Sequence, residues 1–166
     1  KVDHSVRTLG QNRDTAEIDL RVVMGLLDIR LVAGDADLVA AAQNDAVHLW
    51  RKEASRFLPE LKESMKIRHE RSGELAYLLE PDLKEARGGL RDINSIRAIA
   101  LSGAALPSIE RISTAESTIL KIRDSLHTIS GNSKDRLYFQ EQDKIAKDLE
   151  YSDADVLMAD LAKSAR

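Results

Sequence analysis

The chain has no cysteine, so disulfides and thiolate metal sites are excluded, and a reducing cytoplasmic setting is the expectation. Aromatics are scarce at 4%, with one Trp and two Phe. Leu, Ile, Val and Ala must therefore fill the core, which favours helices over a β-sandwich. No apolar run approaches the roughly 20 residues that span a bilayer, and no membrane partner is expected. Positive charge is not in excess: 25 Lys and Arg face 28 Asp and Glu, for a net charge of −3. That balance argues against a general nucleic-acid surface. Only 8 Gly and 3 Pro punctuate the 166 residues. What is present is 43% hydrophobic and 32% charged residues, a globular composition with length for one ordinary core. The chain starts at Lys1 without Met and stops inside a helical pattern, so it is expected to be a piece of something longer.

Val2 to Leu9 is short and partly alternating, and reads as a strand without a partner. Asp14 with Glu17 reads as a capping box opening a helix through Ile18, Val22, Leu26 and Ile29, closed near Gly34. Further helices are expected over about 37–56, from Pro59 to His69, over 90–101, from Ser113 to Ser130, over about 134–149, and from about Asp153 onward. Leu75 to Leu79 reads as extended ahead of Pro81. The expected fold is mainly α: a helical bundle of about six to seven helices with one short N-terminal strand.

Two carboxylate pairs, Asp35 with Asp37 and Asp153 with Asp155, have the spacing used by two-metal nucleotidyl-transfer sites. Both fall at helix starts without a glycine-serine loop before them, so capping is the favoured reading. His4, His48, His69 and His127 share no metal-ligand spacing and read as structural, with His127 placed to orient a neighbour. Lys62, Lys66, Arg68 and Arg71 are interleaved with Glu60, Glu63, Glu70 and Glu74, the pattern of a solvated helix face.

One segment is denser in chemistry. Between Glu80 and Ile93, Lys84, Arg87 and Arg91 flank Gly88-Gly89 directly ahead of a helix. Exposed N–H groups beside cations form an anion site, so Lys84, Arg91 and the glycine amides are candidate nucleotide contacts. The competing reading is a glycine turn in which Arg91 and Asp92 pair locally to hold two helices. Local chemistry leaves the two readings even.

Glu80-Pro81-Asp82-Leu83-Lys84-Glu85 followed by Gly88-Gly89-Leu90-Arg91-Asp92-Ile93 resembles the hallmark of the bacterial PII uridylyltransferase/uridylyl-removing enzymes. Further blocks resemble the same family in order: His4 to Thr8, Leu26 to Asp35, then Arg123, Leu126-His127, Gly131, Asp135-Arg136-Leu137, Gln142 and Ala146. Ala86-Arg87 departs from the family's usual Gly-Pro, and Arg97 stands near a usual Trp. The resemblance implies a piece of a larger enzyme. Residues 1–34 would be the C-terminal edge of a nucleotidyltransferase domain, and 35–166 the helical domain closing over the nucleotide site.

In that enzyme a PII tyrosine hydroxyl would attack the α-phosphate of UTP or ATP, with Mg²⁺ offsetting charge. Lys84, Gly88, Gly89, Arg91 and Asp92 would be nucleotide-binding, with Asp92 orienting Arg91. Asp3, on the strand where related transferases carry a third carboxylate, is a candidate metal ligand, against a plain strand-end acid. The implied partners are PII and a nucleoside triphosphate. No catalytic residue is assigned within the chain, and the isolated chain is expected to be inert. The alternatives are a non-enzymatic helical interaction module and a piece of a related glutamine synthetase adenylyltransferase. The adenylyltransferases carry an acidic-aromatic continuation after Ile93, where this chain has Asn94-Ser95.

Overall fold

A computed structural model describes residues 4–104 and 109–166. Eight α-helices occur among them: α1 Leu9–Ile18, α2 Leu20–Leu27, α3 Ala36–Lys52, α4 Ala54–Ser72, α5 Leu90–Leu101, α6 Ile109–Ser130, α7 Phe139–Asp148 and α8 Ala154–Ser164. A single 3₁₀ turn, Leu75–Tyr77, stands where an extended stretch was expected. No strand occurs among the described residues, and none of their helices is long and apolar enough to cross a membrane.

The N-terminal strand expected from Val2 to Leu9 is corrected. Residues 4–8 carry no regular structure, and Leu9 already belongs to α1. The reason is a capping box six residues earlier than the one expected at Asp14. Thr8 Oγ1 accepts the Gln11 N–H at 3.2 Å, and Gln11 Oε1 accepts the Thr8 N–H at 2.9 Å. Two otherwise orphaned donors are satisfied, which a strand lacking a ladder partner cannot offer.

The expected count of six to seven helices is corrected as well, because the helix expected from Asp14 to Gly34 is two. Asp19 adopts extended backbone, gives its N–H to Thr15 O to close α1, and accepts the Arg21 N–H at 2.7 Å to open α2. The later helices also shift at their starts. Glu53 O accepts the N–H groups of Arg56 and Phe57, so α4 begins five residues before Pro59. α6 begins at Ile109, leaving Ser113 and Glu116 inside it rather than as its cap.

The chain divides into two compact units, Lys1–Lys62 with Arg97–Ala105, and Glu63–Ile96 with Leu106–Arg166. In the first, α1 and α2 pack on each other and on α3. Asp35 caps α3 by accepting the N–H groups of Asp37 and Leu38. Ala42, Ala46 and Leu49 turn one face of α3 inward. Trp50 and Phe57 are fully buried and stacked, with centroids 5.3 Å apart and planes 12° from parallel. The indole N–H is not left unsatisfied: it donates to Ala98 O at 2.7 Å.

The second unit has an aliphatic core. Ile119, Ile122 and Leu126 of α6 meet Ile145 of α7 and Leu157 and Leu161 of α8. Two residues of the glycine segment, Leu83 and Ala86, belong to that core and are completely buried. Burying a leucine side chain contributes on the order of 2 kcal/mol, so the segment is anchored by its own apolar residues.

Candidate functional site

The segment from Pro81 to Gly89 has no helix or strand of its own, yet its backbone is tied on both sides. Leu83 N–H donates to Asp135 O at 2.8 Å, and Leu137 N–H donates to Pro81 O at 2.9 Å, an antiparallel bridge to the loop after α6. On the other side, Arg87 N–H donates to Gly73 O at 2.8 Å and Leu75 N–H to Arg87 O at 3.0 Å. Within the segment, Asp82 Oδ1 accepts the N–H groups of Lys84 and Glu85. Leu90 and Arg91, at the start of α5, donate back to the carbonyls of Leu83 and Lys84. With its backbone groups paired in this way, the segment forms a fixed platform.

Both glycines are needed for it. Gly88 has φ +85°, and a Cβ there would overlap the Ala165 carbonyl oxygen. A Cβ on Gly89 would stand 2.8 Å from Leu83 O and 2.9 Å from Ala86 O. Their amides face inward: Gly88 N–H donates to Asp92 Oδ2 at 2.8 Å, and Gly89 N–H to Ala86 O at 2.9 Å. What the segment presents outward is side chains.

Asp92 is the centre of a buried cluster. Its Oδ1 accepts from Arg68 at 2.5 Å and lies 2.9 Å from His69 Nε2, both on α4. Arg68 also donates to Glu85 O at 3.0 Å, fastening the platform to α4. The side chains of Arg68 and Asp92 are only 9% and 10% exposed. Burial pushes the Asp92 carboxyl up, but the Gly88 N–H, Arg68 and His69 together outweigh it and hold the group below its ordinary value. Arg91 is not oriented by Asp92. Its Nε donates to Glu85 Oε1 at 2.7 Å, and Arg91 is half-exposed. Lys84 extends toward Asp135, with 3.8 Å between Nζ and Oδ2. Arg87 pairs with Glu74 at 2.9 Å.

Of the sequence-predicted residues, then, Lys84 and Arg91 carry partly exposed cations on the platform, while Gly88, Gly89 and Asp92 build it. Asp3 lies outside the described residues. Asp35 and Asp153 cap α3 and α8. Among the described residues no group of three or more His, Asp or Glu converges to hold a metal ion. Arg68, which the charge pattern places on a solvated face, is buried instead. Nothing in local spacing reveals its pairing with a carboxylate 24 positions away.

A helical chain with a backbone-locked platform built around a glycine pair is the class that fold and site define. The model of the family described as GlnD PII-uridylyltransferase matches residues 56–102 and 105–166. The chain is 48% identical over 165 residues to the bifunctional uridylyltransferase/uridylyl-removing enzyme of Streptomyces coelicolor, a match covering 99% of this chain and 20% of that relative. To the proteins of the same description from Mycobacterium tuberculosis and Corynebacterium glutamicum it is 34% and 32% identical, each match covering 100% of this chain and 22% and 24% of theirs. No solved structure matches. The chain belongs to the PII-uridylyltransferase family, and spans between a fifth and a quarter of the length of these relatives.

Proposed function

We propose that the chain is the helical, nucleotide-facing part of an enzyme that transfers a nucleotidyl group from UTP or ATP to the PII signalling protein in the cytoplasm. In this reading residues 1–34 form the edge of the nucleotidyltransferase domain, and 35–166 the helical domain that closes over the nucleotide. The observation carrying it is the platform itself, which holds Lys84 and Arg91 at its surface on a backbone whose amides are bonded inward. Cations fixed before the substrate arrives stabilise developing phosphate charge without reorganising. Gly88, Gly89 and Asp92 serve the nucleotide indirectly, by setting the height and tilt of the two cations.

Mg²⁺, which would offset phosphate charge in the complete enzyme, finds no cluster of three or more His, Asp or Glu ligands among the described residues. Catalytic carboxylates are likewise assigned to no described residue, so the isolated chain is inert in this reading.

Transfer of labelled UMP or AMP to PII by the product of the complete reading frame is the direct test. Lys84→Ala and Arg91→Ala are each expected to lower kcat/KM about tenfold or more with folding retained. Unchanged transfer in both variants overturns the reading.

A further inference from the structure

A second group of nitrogen-bearing side chains stands beside Lys84, on a different element. Arg123 and His127 are one turn apart on α6, four residues being the spacing that puts two side chains on one face. Asp135, in the loop after α6, holds both: Oδ1 accepts from Arg123 Nε at 2.7 Å and lies 3.0 Å from His127 Nε2. Lys84 Nζ approaches the other oxygen of the same carboxylate at 3.8 Å, too far for a hydrogen bond. One carboxylate thus gathers two permanent cations and an imidazole from two separate elements.

The carboxylate is the deepest member, its side chain 12% exposed, against 25% for His127, 31% for Arg123 and 40% for Lys84. Because a carboxylate only accepts, His127 Nε2 carries the proton toward Asp135, and Nδ1 faces away from that bond. Among the described residues, the donors Lys84 Nζ and the two terminal nitrogens of Arg123 have no hydrogen-bond partner, and neither has His127 Nδ1, which donates to an anion when the imidazole is protonated. Asp135 orients the cluster but does not neutralise it. Donors held in place on the solvent side of their own counter-ion are what an anion with several oxygens requires.

We propose that Lys84, Arg123 and His127 form a polyphosphate-binding site, with Asp135 as its positioning residue. Naming the anion as the triphosphate of the nucleotide rests on the function proposed above; the site itself does not. Arg123 offers its free fork to two phosphate oxygens, Lys84 supplies a compact point charge, and His127 adds a contact from the same face.

The test is titration of the chain with inorganic tripolyphosphate, UTP and uridine, followed by calorimetry and by the imidazole signals of the four histidines. Tripolyphosphate and UTP should bind and uridine should not, with His127 signals moving and those of His48 in the other unit staying still. Lys84→Ala and Arg123→Gln should each weaken tripolyphosphate binding about tenfold. Arg123→Lys, which preserves the charge beside Asp135, should lose less. Arg71→Gln removes the same charge from an exposed site and should change nothing.

Absence of saturable tripolyphosphate binding overturns the site. So does an Arg71→Gln effect equal to that of Arg123→Gln, which would mark a bulk-charge response. Binding of UTP that ignores Lys84 and Arg123 overturns the site while leaving nucleotide recognition elsewhere on the chain standing. Uridylyl transfer to PII is read separately, so a failed site and a failed function are distinguishable.

Discussion

Asp92 and Asp135 are made of the same parts and do different work. Each binds one arginine and one histidine, and each lies in the second unit. Around Asp92 the arginine is as buried as the carboxylate and takes a second partner in Glu85 O, and the remaining carboxylate oxygen is closed by the Gly88 N–H. Around Asp135 the arginine and histidine are partly exposed, and their outer nitrogens are unspent. Composition alone does not separate an architectural carboxylate from one that presents cations. The side on which the cations meet solvent does.

The largest way to break this contrast is Asp92→Ala. It leaves Arg68 as a buried charge without its counter-ion and should cost about 3–5 kcal/mol, read as a lower urea midpoint. Gly88→Ala follows, since a positive φ and the Ala165 carbonyl both oppose a side chain; the expected loss is about 1–3 kcal/mol. Asp135→Asn should cost only about 1 kcal/mol, because its cations can turn to water.

The finest distinction is in pH dependence. The Asp92 carboxyl titrates lower in the folded chain than in the unfolded one. Its stabilisation is therefore complete above the ordinary carboxylate value of about 3.9 and is lost as pH falls through that value toward the folded one. Asp92→Asn should be less stable than wild type at neutral pH and show a shallower decline in acid. Equal slopes in the two proteins would remove Asp92 from the acid response.

Much of the helical content was legible from spacing, because inward faces such as Ala42-Ala46-Leu49 or Ile119-Ile122-Leu126 announce themselves. Helix starts were less so. A box at Thr8 with Gln11 prevailed over the one at Asp14 with Glu17, and Asp19, an ordinary acid within an apolar period, proved to end one helix and begin the next. Capping chemistry is local, but several competing caps satisfy the same rule, and packing selects among them. In the candidate site, the importance of the Glu80 to Ile93 segment was visible; the direction of its amides was not. Arg68 looked like one more charge on a wet helix, and its burial depends on a contact no window of sequence contains. Arg123 and His127 did leave a signal, their four-residue spacing, but the carboxylate that joins them to Lys84 comes from a later loop.

The placement of the aromatic residues labels the chain optically. The one tryptophan, Trp50, is buried in the first unit, whereas Tyr77, Tyr138 and Tyr151 all belong to the second. Indole fluorescence therefore reports on one unit and phenol absorbance on the other, with no dye and no engineered residue. Coincident melting curves from the two chromophores would mean that the units unfold as one cooperative body. Separated curves would give each unit its own transition temperature, and show which of them a bound polyphosphate protects.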